Sequence, residues 1–453
     1  MASSLTPEQE SALEEVRLIF KPTTSGKRKV SAALLSPPDS AYSSGASSKS
    51  GSVRFQSFSS SSSDLTLDLP ETANSIEGLE FIGFDHKTAT HVFRTYDKYK
   101  SIKSDDDDFF SFVHGHIIMI NSSKLAGSSE RESMTNLGIR QAVQDAILDP
   151  NFTQVYNTET LEFWIEDTLK VNYATLLRLL GRLQDQANIE LSKKTKKQKK
   201  RAKLESAFPQ ASTSAQAAET GIEEDIDAVT LSAESSETLF KHCVVVESPP
   251  KALENHTILY KGKAASELVR DVDPFFLENG ALNIIVLNSH RGGDFNWLHE
   301  VQYWSPEKQT AERYRQYAAE RSPFSETWVV RIQVPNEFLA PLRTEQLWYS
   351  ANWKEYVWWC KRKQPVPEKF HHLSEKADLI KGHICARSPP EVARFKAQDV
   401  QTKFTKNDLM YNDGQKATQW VFMKEEKVRQ LAQLLKGKVY VEINGPLVSN
   451  KND

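Results

Sequence analysis

Cysteine is scarce in this chain of 453 residues, which contains three: Cys243, Cys360 and Cys385. An odd, sparse count without a CxxC pair argues against a scaffold built on disulfides and against a cysteine zinc site. His371-His372 has no acidic or histidine partner at ligand spacing, so we expect no metal. The cysteine count favours a reducing compartment, the nucleus or the cytoplasm.

Long hydrophobic runs are also missing. No window approaches 18 uninterrupted apolar residues, so we expect no membrane span. The first residues lack a basic segment followed by an apolar core, so we expect no secretory leader. Walker-type phosphate loops and GxGxxG, GxSxG and HExxH motifs are absent as well, which removes support for ATPase, dehydrogenase, hydrolase and zinc-protease functions.

Net charge is low: the formal value is −3 and the pI is about 6.5. This balance argues against a globally basic nucleic-acid binder. No zinc finger, homeodomain-like or RNA-binding aromatic motif is present, so we do not expect sequence-specific recognition of nucleic acid.

Composition and periodicity divide the chain into five parts. Serine-rich residues 1–75 predict a disordered tail. Residues 76–192 predict a small, mainly helical domain whose last helix follows a capping Thr158. Residues 193–235 predict a basic and then acidic flexible linker. Residues 236–447 alternate strand and helix signals, which favours an α+β fold, and residues 448–453 form a short tail.

A run of positive charge marks the start of the predicted linker. Eight of the eleven residues from Lys193 to Lys203 are basic. Such a run is typical of a nuclear-localisation signal read by an import receptor, or of a patch that binds polyanions. A charged linker without a partner is the alternative, and the helical pattern leaves open whether the preceding helix continues through it.

Local signals in the C-terminal part predict its elements. Thr257–Tyr260 and Leu282–Leu287 read as short apolar strands, and Thr327–Pro335 as an alternating strand. Ser305 followed by Pro306 predicts a helix start, because serine accepts a hydrogen bond from the first turn and proline suits the first helical position.

Four short motifs occur in order along this part of the chain. They are Tyr260-Lys261-Gly262, Gly292-Gly293-Asp294-Phe295, Tyr303-Trp304-Ser305 and Gln401-Thr402-Lys403. Their order, over about 150 residues, resembles a diverged ADP-ribosyltransferase-like domain of the kind found in fungal proteins. The resemblance implies a cleft between two small sheets that binds NAD.

The same resemblance implies roles for individual residues. NAD would contact Tyr260, Lys261, Gly262, Tyr303, Ser305 and Gln401. Lys261 stands where the family has a histidine, and Lys403 stands where it has the catalytic glutamate. That glutamate stabilises positive charge developing at the ribose, so its absence implies weak or no transfer. Glu300, Glu307 and Asp294 are the nearby acids that would substitute.

Three functions follow from these residues. The first is a module that binds a ligand or a protein partner with weak or no transferase activity. The second is an active NAD-dependent ADP-ribosyltransferase that modifies a protein or nucleic acid. The third is a nuclear adaptor that acts through its N-terminal half, residues 1–235.

Overall fold

The computed structural model describes residues 5–21, 26–35, 53–58, 66–102, 108–124, 129–205, 243–268, 275, 277, 281–283 and 285–447. Helices and strands occur in mixed order and form an α+β fold. The helices are α1 (Pro7–Glu15), α2 (Ile76–Ile82), α3 (His86–Ile102), α4 (Phe109–Lys124), α5 (Glu130–Asn136), α6 (Gln141–Ile147), α7 (Thr153–Tyr156), α8 (Leu161–Glu205), α9 (Ala265–Leu268), α10 (Lys308–Arg321), α11 (Asn336–Leu339), α12 (Ala351–Lys361), α13 (Pro389–Ala393), α14 (Val400–Lys403) and α15 (Glu425–Leu434).

The strands form three sheets and one hairpin. They are β1 (Ile19–Phe20), β2 (Lys27–Ser31), β3 (Val53–Phe58), β4 (Thr66–Pro70), β5 (Cys243–Val245), β6 (His256–Ala264), β7 (Gln302–Trp304), β8 (Thr327–Pro335), β9 (Thr344–Leu347), β10 (Leu379–His383), β11 (Tyr411–Asn412), β12 (Gln415–Lys416), β13 (Thr418–Phe422) and β14 (Val439–Asn444). Within the described ranges, no helix combines the length and apolar character needed to cross a bilayer.

The N-terminal helices pack around one core. Its members include Leu79 of α2, Met134 of α5, Ile147 of α6 and Leu169 of α8, with Phe84 from the turn after α2. The long helix α8 begins two residues later than predicted, because the Thr160 hydroxyl, and not that of Thr158, accepts a hydrogen bond from the Phe163 N–H (3.1 Å).

Helix α8 runs for 45 residues and includes the whole basic run from Lys193 to Lys203. The prediction of a flexible linker is therefore wrong for residues 193–205, which are helical. Residues 206–235 of that predicted linker lie outside the described residues, as do residues 448–453.

Parts of the predicted tail are also folded. Helix α1 and the antiparallel sheet β1-β2-β4 bury Leu13, Val30 and Leu69 against Leu176 and Leu180 of α8. Strand β3 pairs in parallel with β14 and β5. The prediction of disorder is therefore wrong for α1 and for the β1-β2-β4 sheet, because their apolar side chains find partners on α8 that serine-rich composition cannot reveal. Residues 1–4, 22–25, 36–52 and 59–65 of the predicted tail lie outside the described residues.

The C-terminal part contains two sheets. The first has the order β5-β3-β14-β8-β6, and the second has the order β7-β13-β10-β9. The predicted strands at Thr257–Tyr260 and Thr327–Pro335 are confirmed within β6 and β8. All of β8 is buried, and not one face alone, because it lies between β6 and β14 while helices α10 and α15 contact it.

Two local predictions in this part are wrong. Ile285–Leu287 forms a 3₁₀ turn, not a strand, and the Asn283 side chain accepts a hydrogen bond from the Ile285 N–H (3.1 Å) at its start. Helix α10 begins at Lys308, after Glu307 as its N-cap residue, so Ser305 does not cap it. Ser305 instead pairs with strand β6.

The helical region and the C-terminal part are not separate units in the described structure. Tyr317, Ile384 and Met410, which belong to the C-terminal part, are buried in the core of the N-terminal helices. Strand β3 likewise comes from the N-terminal part and completes the five-stranded sheet. A boundary drawn near residue 236 therefore cuts through shared packing.

Candidate functional site

A cavity of about 560 Å³ lies between helix α8 and the two C-terminal sheets. One side, here called the helix wall, consists of residues 158–177, which are the start of α8 and the loop before it. The other side, here called the strand wall, consists of residues 260–263 of β6, 303–305 at the end of β7 and the turn 289–294. Pockets of this volume accommodate small organic ligands and cofactors.

A backbone pair joins the two sheets at the strand wall. The Tyr260 N–H donates to the Ser305 carbonyl (2.7 Å), and the Ser305 N–H donates to the Tyr260 carbonyl (2.9 Å). This bridge brings together two of the motifs singled out in the sequence. Five of the six residues predicted to contact NAD line the cavity: Tyr260, Lys261, Gly262, Tyr303 and Ser305.

Lys261 is buried in the strand wall with its ammonium group turned to backbone oxygens. Its Nζ donates to the carbonyls of Leu287 (2.9 Å) and Tyr303 (3.0 Å) and lies 5.8 Å from the centre of the Trp304 ring. Burial lowers the pKa of Lys261 well below its usual value, and the nearby charge of Lys263 adds to the effect. The lysine therefore ties β6, β7 and the 285–287 turn together.

The Tyr303 ring lines the cavity while its hydroxyl is held by the neighbouring turn. The hydroxyl accepts from the Phe295 N–H (2.9 Å) and donates to Asn296 Oδ1 (2.7 Å). A Cβ at Gly293 would lie 2.8 Å from the Tyr303 oxygen and 2.6 Å from Asn296 Oδ1. Only glycine fits this close approach, so Gly293 lets the turn pack against the Tyr303 ring.

Gly262 and Ser305 also have contacts within the protein. A Cβ at Gly262 would lie 1.9 Å from the Ala311 carbonyl, because α10 packs directly on β6 at this point. The Ser305 hydroxyl donates to Glu307 Oε2 (2.7 Å). Both residues therefore shape the cavity through packing, although both lie on its surface.

Asp294, at the base of the strand wall, is held by a buried ion pair. Its carboxylate accepts from the Cys385 N–H (2.7 Å) and from Gln419 Nε2 (2.8 Å), and lies 3.3 Å from Lys361 Nζ. Burial by itself lowers the pKa of Lys361, but the charges of Asp294, Cys385 and Glu159 together with the hydrogen bond to Asp294 raise the pKa above its usual value. Lys361 also donates to the Thr158 carbonyl (3.1 Å), which fixes the loop before α8.

A second ion pair connects the two sides of the cavity further along α8. Arg321 of α10 lies 2.8 Å from Asp167 of α8 and donates to the Thr168 hydroxyl (2.7 Å). Its guanidinium lies against the rings of both Trp164 and Tyr317, 4.6 Å from each centre. This combination of an ion pair with cation–π contacts docks α8 against the C-terminal part.

Glu159, in the helix wall, is half-buried and differs from the ion-paired Asp294 and Asp167. Its carboxyl group lines the cavity, and no hydrogen-bond donor or ion-pair partner contacts it in the described structure. Burial raises its pKa to about 7, and the negative charges of Asp294 and Asp167 act in the same direction. The positive charges of Lys361 and Lys363 lower the pKa but do not cancel this rise. The group is therefore poised to change protonation near neutral pH.

The remaining predicted residues are placed differently. Glu300 lines the mouth of the cavity, half exposed, 3.3 Å from Asn288 Nδ2 and 3.4 Å from His290 Nδ1. Glu307 does not line it, because its carboxylate accepts from the Thr418 hydroxyl (2.6 Å) and from Ser305. Gln401 lies outside the cavity on α14, where its amide donates to the Ala351 carbonyl (3.0 Å).

Residues of the helix wall were missed from the sequence. Glu159, Asp167 and Lys170 belong to the helical region, more than 80 positions before the predicted motifs. The local pattern marks α8 as amphipathic, but it does not indicate that polar residues in its first turns face another part of the chain. A pattern of charged residues beside the aromatic Phe163-Trp164 pair is the only local signal.

Within the described ranges, no group of three or more histidine, cysteine or acidic side chains is arranged to hold a metal ion. Comparison with known proteins found no matching family model, no matching curated protein and no matching solved structure.

Proposed function

We propose that the chain binds a small nicotinamide-containing ligand, such as NAD, in the cavity between α8 and the two sheets, and has weak or no transferase activity. The observation that carries this proposal is the position of Tyr260, Lys261, Gly262, Tyr303 and Ser305 around one cavity of about 560 Å³. The sequence resemblance assigns these same residues to dinucleotide binding.

The two ends of such a ligand have different partners. The Tyr303 ring is held rigidly by its hydroxyl and offers a flat surface for the nicotinamide. Lys170 on the helix wall is exposed and lines the cavity, which suits contact with a phosphate. Lys261 is a poorer phosphate ligand because two backbone carbonyls already hold its ammonium group.

The weak or absent transfer rests on the position of the fourth motif, Gln401-Thr402-Lys403. Gln401 and Lys403 are exposed on α14 and do not line the cavity. Lys403 instead faces Asp399 at 3.6 Å. The Glu307 carboxylate accepts hydrogen bonds from the hydroxyls of Thr418 and Ser305, and Asp294 forms an ion pair with Lys361. These positions leave none of those groups free at the ligand.

The test is calorimetric titration of the full chain with NAD. Ala174 lies on α8 at the cavity surface, so Ala174→Trp places an indole in the space that the ligand would fill. Thr195→Trp adds the same indole to an exposed position of the same helix and is the matched control. We expect saturable binding in the native chain and in Thr195→Trp, and loss of binding in Ala174→Trp. Absence of binding to the native chain at millimolar NAD would reject the proposal.

The charge of Lys170 allows a second, finer comparison. Lys170→Gln removes a cation from the cavity, whereas Lys196→Gln removes one from an exposed position of the same helix. We expect Lys170→Gln to weaken NAD binding several-fold, as the loss of one surface charge contact would. Lys196→Gln is expected to leave the affinity for NAD unchanged. Equal effects would indicate general electrostatic attraction without a site.

Active transfer is the second candidate, and Glu159 favours it. A carboxylate in the cavity is what stabilisation of a positively charged ribose requires. Incubation with labelled NAD, followed by detection of label on the chain or on added protein, tests this candidate. Transfer that is lost in Glu159→Gln and retained in the exposed variant Glu162→Gln would favour an enzyme over a binding module.

The exposed end of α8 supports a separate proposal, namely that the basic run binds an import receptor. Lys196, Lys197 and Lys199 are exposed on this helix. Replacement of all three by glutamine is expected to reduce nuclear accumulation of a tagged full-length protein. An unchanged distribution would reject the import proposal without affecting the cavity.

A further inference from the structure

The carboxyl group of Glu159 lines the cavity, where the charge of a bound ligand would act on it. Glu159 lies in the loop immediately before α8, next to Thr158, whose carbonyl accepts from Lys361 Nζ at 3.1 Å. This contact fixes the loop against the strand wall and keeps Glu159 at the cavity. Its carboxyl group has neither a hydrogen-bond donor nor an ion-pair partner among the described residues.

The charged groups around Glu159 are already engaged with one another. Asp294 is paired with Lys361 at 3.3 Å, and Asp167 with Arg321 at 2.8 Å. The positive charge of Lys363, two residues after the end of α12, lowers the pKa of Glu159. Since carboxyl groups outnumber lysine and arginine side chains on the cavity surface, the excess charge there is negative. A cationic group in the ligand would balance it.

The other surfaces of the cavity are aromatic. The rings of Tyr260, Tyr303 and Trp304 belong to the strand wall, Tyr314 belongs to α10, and Phe163 belongs to the helix wall. Aromatic faces attract flat rings and cations, and a nearby carboxylate adds to the attraction for a positive ring. A neutral ring of the same size gains the stacking contact but not the electrostatic contact.

We propose that Glu159 is the counter-charge for a flat cationic ring, so that the cavity binds the oxidised nicotinamide ring more tightly than its neutral reduced form. This inference rests on the proposed function and names the redox form that the site selects. The phosphates and riboses are the same in both forms. Discrimination must therefore come from the ring and from the groups that surround it.

Proton linkage gives the inference a second consequence. A cation next to Glu159 favours the carboxylate over the protonated acid, so the ligand releases a proton when it binds near neutral pH. Binding of the oxidised form therefore strengthens as the pH rises through about 7, where Glu159 titrates. Asp294, Asp167, Lys361 and Lys363 are the other charged groups that act on it, and the first three are already held in ion pairs.

The experiment is calorimetric titration of the full chain with NAD and with NADH. The native chain is expected to bind the oxidised form about tenfold more tightly, as one partly buried charge contact would give. Glu159→Gln is expected to abolish this preference by weakening the oxidised form alone. Glu162→Gln, an exposed change of the same type on the first turn of α8, is expected to keep it.

Two buffers with different ionisation enthalpies provide an independent readout. The native chain is expected to release a proton on binding NAD at about pH 7, and Glu159→Gln is expected to release none. Equal affinity of the native chain for both redox forms would overturn the inference and leave the proposed function intact. A Glu159→Gln protein that loses affinity for both forms equally would also overturn it. Absence of binding by either form would reject both the inference and the proposed function.

Discussion

The two walls of the cavity differ in how far their polar groups are satisfied within the protein. In the strand wall, Lys261 donates to two carbonyls, and the Tyr303 hydroxyl both accepts and donates a hydrogen bond. In the helix wall, Glu159 has no partner among the described residues, and Lys170 is exposed. The strand wall therefore holds the shape of the site, and the helix wall holds the groups that remain available to a ligand.

This difference reverses the roles that the motifs suggest. The strand-wall motifs resemble a dinucleotide site, yet most of their polar atoms bond to neighbouring residues. The groups that are free for recognition come from a helix without a recognisable motif. In the described structure the strand-wall motifs therefore act as the scaffold of the cavity.

The largest expected effect is on the contact that holds the two walls together. Arg321→Met removes the cation from Asp167 and leaves a buried acid without its partner. We expect the free energy of unfolding to fall by about 3–5 kcal/mol, as is typical when one member of a buried pair is lost. Urea denaturation measures it. A loss below about 1 kcal/mol, the range of exposed ion pairs, would mean that α8 is docked by its apolar contacts alone.

The close packing of Gly262 against α10 tests whether the strand wall acts as a scaffold. Gly262→Ala places a methyl group 1.9 Å from the Ala311 carbonyl, so β6 and α10 must move apart. We expect a loss of about 1–3 kcal/mol in the free energy of unfolding, as found for overpacked cores. The same substitution at Gly115 of α4, where a Cβ would meet nothing within 4 Å, is the control. A stable Gly262→Ala protein that fails to bind ligand would instead favour a direct contact.

The pH dependence of stability tests the unsatisfied group of the helix wall. Burial raises the pKa of Glu159 from its usual 4.5 to about 7, so the folded state binds the proton more tightly than the unfolded state does. Its contribution to stability is complete below pH 4.5 and is lost as the pH rises through about 7.

Glu159→Gln removes this dependence. Between about pH 5 and pH 8 we expect the variant to gain about 2 kcal/mol in unfolding free energy relative to the native chain, a value reduced for partial exposure of the group. Urea denaturation at both pH values measures the gain. Parallel curves for the two proteins would show that Glu159 is solvated and ionised throughout.

The smallest effect is expected outside both walls. Gln401→Ala removes an exposed amide that donates to the Ala351 carbonyl on α12. We expect a change within about 0.5 kcal/mol in the free energy of unfolding and no change in affinity for NAD. A marked loss of NAD affinity would show that Gln401 contacts the ligand, and α14 would then have to move toward the cavity.

Much of the local structure can be predicted from the sequence because it depends on neighbouring residues. The alternation of Trp328, Val330, Ile332 and Val334 predicts β8, and the apolar repeat beginning at Leu161 predicts α8. These predictions need no knowledge of distant contacts.

Other features depend on distant contacts and could not be read from local pattern. Ser305 followed by proline has the pattern of a helix cap, but pairing with Tyr260 keeps it in a strand. Strand β3 lies in a serine-rich segment and forms because the edges of β14 and β5 accept it. Gln401 follows the other motifs in sequence, but α14 packs on α12 and carries it away from the cavity.

By itself, the sequence determined the α+β class and the long amphipathic helix, because periodicity and backbone preference act over a few residues. The tertiary structure alone decided which groups stay free in the cavity. Lys261, Asp294 and Glu307 bond to partners 26 to 111 positions away, whereas Glu159 lines the cavity without a side-chain partner among the described residues. Hydrogen bonding and desolvation depend on what packs around a side chain, so its chemical role emerges only when the chain is folded.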